Sequence, residues 1–230
     1  LNALEACMDD TVAVVSIMAA NNETGVLQPV NQACGIAHAH GALFHCDVTQ
    51  LPGKLPVRVD ADLLSLSAHK FGGPRGVGAL VGTSRPRPLL RGGKQERGLR
   101  AGTLNVPGIV GMGAAAEAAG TMSEGHRDRL ERVCTAHHGQ VIGSQAPRLP
   151  NTSLIRFPQP GDLVVAALDL AGVQASTGSA CASGAADTSH VLKAMGLDGI
   201  PVRFSLGPHT PATAAIDVIE QVLGRLMEAD

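Results

Sequence analysis

The sequence predicts an α/β domain followed by a smaller α+β domain. In the first half of the 230-residue chain, short apolar runs alternate with helix-like stretches, as in a parallel sheet with crossover helices. Polar side chains gather where these runs end, which is where open α/β sheets bind ligands. From Asn151 onwards this rhythm changes. We therefore expect a large domain over residues 1–122 and a small one over residues 123–230.

The first half contains four predicted strands and one helix. Residues 11–19 are rich in β-branched side chains and apolar on both faces, which is typical of a buried parallel strand. A polar turn at 21–25 follows, and then a helix at 30–40 that ends at Gly41. The remaining strands of this half are predicted at 42–47, 61–70 and 78–83.

In the middle of the chain lies a basic, glycine-rich stretch at 85–105, which we interpret as a long surface loop. Beyond it the same periodicity arguments predict further helices and strands. The helices are expected at 107–120, 123–139, 161–172, 189–196 and 213–228, and the strands at 153–157, 173–176 and 201–207.

Composition excludes several classes of function. The net charge is −2 and there is no Trp or Tyr, so neither nucleic acid nor an anionic membrane is an expected partner. No apolar run is long enough to span a bilayer, and the first residues do not resemble a secretory signal. Five cysteines without a CxxC pair indicate a reducing, cytoplasmic setting rather than disulfides or zinc.

Most cysteines and histidines are expected to be structurally ordinary. A lone cysteine usually behaves as a small buried apolar residue, which is the prediction for Cys7, Cys34, Cys46 and Cys134. His38 and His40 have no carboxylate or cysteine at ligand spacing, so we expect solvated helix residues and no metal site.

Two strand-end residues suggest a specific chemistry. Asp47 ends one strand and Lys70 ends the next. A lysine amine can form a Schiff base with an aldehyde cofactor, and an acid can keep the ring nitrogen of that cofactor protonated. Alternatively, such residues satisfy the backbone of nearby loops. Four other side chains could assist a cofactor: Asn22 and Gln50 at a ring oxygen, and Ser67 and His69 at a phosphate.

The motifs NNETG, HCDVTQ, SAHKFGGPRGVGAL, QERGLRAGTLN, STGSACASG and VRFSLG occur in this order. Together they resemble the NifS/IscS-type cysteine desulfurases, enzymes that use pyridoxal 5'-phosphate (PLP) and have the fold type I of aspartate aminotransferase. The resemblance implies that Lys70 binds PLP as a Schiff base and that Asp47 pairs with its ring nitrogen. It places Asn22, Gln50, Ser67 and His69 around the cofactor.

Three further residues take roles from this resemblance. Cys181 lies among small residues that leave its thiol unshielded, and in the family this cysteine accepts the substrate sulfur as a persulfide. Arg203 lies in an apolar strand and needs an anionic partner, which in the family is the substrate carboxylate; a structural salt bridge is the alternative. Thr103 matches a position that reaches the PLP phosphate of the other subunit, which implies a homodimer.

The implied reaction converts L-cysteine to L-alanine, with the sulfur passed on to an acceptor or iron–sulfur scaffold protein. Two alternatives remain open. One is a selenocysteine lyase on the same scaffold. The other is an inactive, truncated fragment that only binds partners, because family members have more than a hundred residues before the point where this sequence starts. That preceding segment carries a phosphate-binding turn and a ring-stacking histidine, so the large domain is expected to be incomplete.

Overall fold

A computed structural model of the protein describes residues 1–178 and 189–228. The chain forms two compact units. The first unit comprises Leu1–Ala19 and Gln28–Thr121, and the second comprises Ala20–Leu27 and Met122–Asp230. The second unit therefore includes a short segment from the N-terminal part of the sequence.

The first unit is built on a four-stranded sheet. Its strands are β1 (Val14–Met18), β2 (Leu43–Asp47), β3 (Leu63–Ser67) and β4 (Gly78–Gly82), in that spatial order. β1, β2 and β3 are parallel, and β4 is antiparallel to β3. Its α-helices are α1 (Asn2–Glu5), α2 (Val30–Ala39) and α3 (Val106–Ala118), and short 3-10 helices span Ala68–Lys70 and Gln95–Gly98. The α2 helix and the four predicted strands are thus confirmed, except that the strand predicted over 61–70 ends at Ser67 and its last three residues form a 3-10 helix. Residues 85–105 contain a helical turn that was not predicted.

One face of this sheet forms the core of the first unit. Phe44 and Cys46 of β2 are fully buried, because α2 contacts β1 and β2 on this side. On the opposite face of the sheet, the residues of β1 are exposed, with Val14 at 52% and Met18 at 42%. The prediction that β1 is buried on both faces is therefore wrong for the described part of the chain, since apolar character alone does not determine what covers a strand.

The second unit packs helices against an antiparallel sheet with the strand order β5-β6-β8-β7. The strands are β5 (Gln140–Val141), β6 (Thr152–Arg156), β7 (Ser176–Thr177) and β8 (Val202–Ser205), and the helices are α4 (Gly125–Ala136), α5 (Gly161–Leu170), α6 (His190–Ala194) and α7 (Ala212–Glu228). Apolar residues at helical spacing direct one face of α7 into the core. Ile216, Ile219 and Leu223 of this helix pack with Leu130 of α4 and Leu168 of α5.

Segment 20–27 is joined to the second unit by backbone hydrogen bonds. The amide of Leu27 donates to the carbonyl of Pro147 and the amide of Leu149 donates to the carbonyl of Gly25, both at 2.8 Å. Val26 and Arg148 form an antiparallel bridge. The segment is therefore held to the loop before β6 by main-chain hydrogen bonds and one isolated bridge.

A buried ion pair lies next to this segment. The Arg148 guanidinium binds Glu131 of α4 with both terminal nitrogens, and Ser153 of β6 donates to the same carboxylate at 2.7 Å. Burial opposes ionisation of Glu131, but the hydrogen bonds from Arg148 and Ser153 and the nearby arginine charges outweigh it, so the pKa of Glu131 is lowered. The pair connects α4, β6 and the loop before β6.

Gly161 begins α5 at a point where no side chain fits. A Cβ atom added there would lie 1.9 Å from the carbonyl oxygen of Ile200. By contrast, Gly113 in α3 has no atom within 4 Å of the corresponding position. Glycine at 161 is therefore required for the close approach of α5 to the residues before β8.

Three of the four cysteines predicted to be buried are buried. Burial raises the pKa of Cys46 to about 11 and that of Cys134 to about 12, and it also raises the pKa of Cys34. Cys7, which follows the short helix α1, is exposed, so the prediction is wrong for this residue.

His38 is exposed to solvent as predicted, but the prediction that it has no carboxylate partner is wrong. Its Nε2 lies 2.9 Å from Asp62 Oδ2, and Cys34 Sγ lies 3.7 Å from its ring nitrogens. Residues 24 positions apart meet here because α2 packs on the sheet. In the part of the chain that the structure describes, no helix is both long and apolar enough to cross a membrane.

Candidate functional site

Five of the residues singled out from the sequence lie around the ends of two neighbouring strands in the first unit. Asp47 is the last residue of β2 and pairs with Ser65 of β3. β3 continues to Ser67, and the 3-10 turn that follows carries His69 and Lys70. Because β2 and β3 are parallel and neighbouring strands lie about 4.8 Å apart, Asp47 and the start of this turn share one edge of the sheet.

A glycine-containing turn directs the chain after β3. The amides of Phe71 and Gly73 donate to the carbonyl of Ala68 at 3.1 and 2.9 Å. A Cβ atom on Gly73 would lie 2.8 Å from Cβ of Ala68, so glycine is needed for this close approach. Ala68 is fully buried, whereas the next two residues, His69 and Lys70, are exposed. The turn is thus held in place by the buried Ala68, while the imidazole of His69 and the amine of Lys70 are exposed to solvent.

One oxygen of the Asp47 carboxylate already accepts a hydrogen bond within the protein. Its Oδ1 accepts a hydrogen bond from the amide of Thr49 at 2.8 Å. This bond fixes the orientation of the carboxylate, while Oδ2 can accept from a further donor. Asp47 itself is exposed, and Gln50, three residues later, is half-buried. An acid held in this way can bind a protonated ring nitrogen or another cationic donor.

Lys54 also belongs to this cluster, although the sequence did not single it out. Its Nζ lies 3.5 Å from Gln50 Oε1 and 3.4 Å from the carbonyl oxygen of Lys70. Burial, together with the charge of Lys70, lowers the pKa of Lys54 to about 8. The one sequence signal was its position four residues after Gln50.

Thr103 lies in the first unit, between the 3-10 turn at Gln95–Gly98 and α3, and is exposed. The turn has left-handed backbone at Glu96 (φ 49°) and Arg97 (φ 57°), which non-glycine residues seldom adopt. Arg85 supports it by donating to the carbonyl of Arg97 at 2.7 Å. The basic loop is thus held in a defined conformation.

The second unit brings together Asn22 and Arg203. Arg203 lies on β8, and its Nη1 donates to the backbone carbonyl of Asn22 at 3.0 Å. Its Nε is buried without a hydrogen-bond partner among the described residues. Buried guanidinium nitrogens are normally paired, so this arginine has capacity to bind an anion.

Glu23, which follows Asn22, is a buried carboxylate that sequence reasoning missed. It is 4% exposed, and its Oε1 accepts a hydrogen bond of 2.8 Å from the hydroxyl of Ser189. The same hydroxyl accepts from the amide of Val191 and caps α6. Glu23 therefore fixes the start of α6, although the two residues are 166 positions apart.

Cys181 lies outside the described residues. Within residues 1–178 and 189–228, no group of three or more His, Cys, Asp or Glu side chains is arranged to hold a metal ion.

Comparison with known proteins assigns the chain to a family. The pattern of the class-V aminotransferases matches residues 1–216. The chain belongs to the class-V aminotransferase family. Cysteine desulfurases are similar to this class-V aminotransferase chain along nearly all of its length. The cysteine desulfurase of Cereibacter sphaeroides is 46% identical over 244 residues, covering 99% of the chain, and that of Klebsiella pneumoniae is 47% identical over 224 residues, covering 89%.

Solved structures give the same result for the fold. A NifS-like protein superposes on this class-V aminotransferase chain with a TM-score of 0.86 at 34% identity, covering 99% of the chain and 64% of that protein. SspA, solved in complex with cysteine, superposes with a TM-score of 0.77 at 32% identity, covering 90% of the chain and 62% of that protein. The fold is therefore the PLP-dependent fold type I expected from the sequence, represented in part. The chain spans 63% of the Cereibacter relative and 56% of the Klebsiella relative.

Proposed function

We propose that this protein is a PLP-dependent cysteine desulfurase that converts L-cysteine to L-alanine and carries the sulfur on Cys181. One observation supports this proposal most: Asp47 and Lys70 follow adjacent parallel strands at the same edge of the sheet. An acid and an amine in this arrangement are the two groups that a pyridine aldehyde cofactor needs. The similarity to cysteine desulfurases supports the choice of substrate.

The side chains of the first unit fit PLP by their chemistry. Lys70 is an exposed amine that can bind the aldehyde, and Asp47 is an oriented acid that can accept from the protonated ring nitrogen. Gln50 can donate to the ring oxygen. Ser67 and His69 can donate to the phosphate, and Thr103 of a second copy of the chain is proposed to reach the same phosphate. Bound there, PLP supplies an electron sink for the carbanion formed at the substrate Cα.

The protein's own residues then have separate tasks. Arg203 binds the substrate carboxylate. Its terminal nitrogens and its Nε, which has no hydrogen-bond partner among residues 1–178 and 189–228, are suited to this, and its bond to the Asn22 carbonyl holds the guanidinium in place. Asn22 is proposed to donate from its side chain near the cofactor ring. With PLP bound, the Lys70 amine would accept the proton from the substrate Cα, and the Asp47 carboxylate would hold a proton at the ring nitrogen.

Cys181 is the proposed sulfur acceptor. Its thiolate attacks Sγ of the substrate, so that the Cβ–Sγ bond breaks and an S–S bond forms. The electron pair of the broken bond stays with Cβ, which takes up a proton, and the products are L-alanine and a persulfide on Cys181. The substrate carbon is reduced and the sulfur is oxidised within the same step, so no external oxidant is needed.

The test of the cofactor site uses the full-length gene product loaded with PLP. We expect the wild type to become yellow and to retain the cofactor on a lysine after borohydride reduction. Lys70→Ala should lose this labelling, whereas Lys94→Ala, which removes an exposed lysine of the basic loop, should keep it. Labelling of Lys70→Ala at the wild-type level would disprove the assignment of Lys70.

The test of the sulfur acceptor compares two cysteines. Cys181→Ser should retain the yellow colour and lose the formation of L-alanine and sulfide from L-cysteine. Cys7→Ser removes an exposed thiol and should change neither. Unimpaired turnover by Cys181→Ser would exclude Cys181 from the reaction. Measurement of L-alanine also tests the reaction itself, because an aminotransferase would form a 2-oxo acid instead.

The cellular setting and partners belong to the same proposal. We infer that the protein is a cytoplasmic homodimer and that it transfers the persulfide sulfur of Cys181 to an acceptor or iron–sulfur scaffold protein. The odd number of cysteines without a CxxC pair supports a reducing compartment. Analytical ultracentrifugation of the full-length protein tests the dimer, and a monomer at micromolar concentration would contradict the role assigned to Thr103.

A further inference from the structure

Lys54 occupies a position between two residues of the proposed cofactor site. Its Nζ lies 3.5 Å from Gln50 Oε1 and 3.4 Å from the carbonyl oxygen of Lys70. The side chain belongs to the loop after β2, and all three residues lie in the first unit. A cation therefore lies beside the amide that is expected to meet the cofactor ring.

The chemistry of the two side chains determines how they face each other. A lysine ammonium has three donors and no acceptor, whereas a glutamine amide ends in one acceptor oxygen and one donor NH₂ group. The Gln50 oxygen therefore turns towards Lys54, and the NH₂ group turns away from it.

We propose that Lys54 is a positioning residue, which keeps the Gln50 amide oriented so that its NH₂ group is available to donate to the ring oxygen of PLP. This inference rests on the proposed function. Both contacts of Lys54 are long for hydrogen bonds, so the orienting effect is mainly the attraction of a charge for two carbonyl dipoles, which partial burial strengthens.

The contact with the Lys70 carbonyl adds a second restraint. This carbonyl is the last of the 3-10 turn Ala68–Lys70, and Lys54 is 16 positions away in the sequence. The ammonium thus connects the loop after β2 with the turn after β3. Burial and the charge of Lys70 lower the pKa of Lys54 to about 8, so Lys54 is still mostly protonated at pH 7 and able to hold both oxygens.

The experiment is a double-mutant cycle on the full-length protein, with PLP dissociation constants and visible absorption spectra as readouts. Lys54→Met keeps the length of the side chain and removes the charge. We expect it to weaken PLP binding by about threefold to tenfold, the effect of one hydrogen bond, and to alter the visible band. Lys54→Arg keeps donors towards the Gln50 oxygen and should bind PLP within about twofold of the wild type.

The cycle separates positioning from a general effect on stability. In a Gln50→Ala background, Lys54→Met should change PLP affinity by less than it does in the wild type, because no amide is left to orient and only the contact with the Lys70 carbonyl is lost. Lys94→Met is the matched control and should leave affinity and spectrum unchanged. Circular dichroism and the melting temperature verify that each variant is folded, and Lys54→Gln serves as a second uncharged variant if Lys54→Met does not fold.

Two results would overturn the inference. One is a Lys54→Met protein with wild-type affinity and spectrum, and the other is an equal effect of Lys54→Met with and without Gln50. Failure of the wild type itself to become yellow with PLP would instead refute the proposed function, so the two failures are distinguishable.

Discussion

Replacing Glu131 with Gln tests what stabilises the second unit. The carboxylate accepts two hydrogen bonds from Arg148 and one from Ser153, and the side chains of Glu131 and Arg148 are only 14% and 8% exposed. Glutamine keeps one acceptor oxygen but removes the charge and places an NH₂ donor against a guanidinium. Loss of a charge-assisted hydrogen bond costs about 1.5–3 kcal/mol, and breaking a fully buried pair costs about 3–5 kcal/mol. For this largely buried pair we expect a loss of about 2–3 kcal/mol.

Glu124→Gln is the matched control. Glu124 also pairs with an arginine, Arg127, at 3.1 Å, but its side chain is 67% exposed. An exposed pair contributes between about 0 and 1 kcal/mol, so the control should be near wild type. Urea unfolding is followed by circular dichroism, because the chain has no Trp or Tyr.

The pH dependence of Glu131→Gln has a defined sign. The pKa of Glu131 is lower in the folded protein than its ordinary value of 4.5, so its contribution to stability is complete above pH 4.5. This contribution is lost as the pH falls through the folded pKa. The difference between wild type and Glu131→Gln should therefore shrink in acid. Equal stability of Glu131→Gln and Glu124→Gln at pH 7 would refute the reasoning.

Three further predictions follow from packing and exposure. Gly161→Ala should lower the melting temperature strongly, because its Cβ would lie 1.9 Å from the Ile200 carbonyl oxygen. Gly113→Ala, with open space in α3, should instead stabilise the protein by up to about 1 kcal/mol. Destabilisation of both variants by the same amount would contradict the packing argument. Iodoacetamide at pH 8 should label Cys7 and spare Cys46 and Cys134, because burial raises the pKa values of these two thiols to about 11 and about 12. Labelling is measured by peptide mass spectrometry, and equal labelling of all three cysteines would contradict protection by burial. Ser189→Ala should cost about 1–3 kcal/mol by removing the hydroxyl that donates to buried Glu23, and an unchanged urea midpoint would mean that another donor replaces it.

Most secondary structure was predictable because it depends on local patterns. The run 153–157 appears as β6 over Thr152–Arg156, and the amphipathic stretch 213–228 appears as α7 over Ala212–Glu228. Burial was less predictable. Val14 and Met18 are exposed although their strand is apolar throughout, because the side of β1 that is covered depends on where α2 packs.

The candidate site was predictable where its residues end strands and was missed where long-range packing creates it. Asp47 ends β2 as expected, whereas Lys70 lies in the 3-10 turn that follows β3, three residues beyond the end of that strand. Lys54 and Glu23 were missed because their partners Lys70 and Ser189 are 16 and 166 positions away. The roles of Asn22, Gln50, Ser67, His69, Thr103 and Arg203 stay predictions, as does that of Cys181, which lies outside the described residues.

The membership of segment 20–27 in the second unit has a consequence for dissecting the protein. The polypeptide passes between the two units three times, at Ala19–Ala20, Leu27–Gln28 and Thr121–Met122. A recombinant fragment that starts at Met122 would lack the partners in segment 20–27 of the Pro147 carbonyl and the Leu149 amide, and it would lack the Glu23 acceptor of Ser189. Such a fragment should expose these groups to solvent and exchange amide hydrogens quickly. A synthetic peptide of residues 20–27 supplied in trans would be the natural means of restoring them.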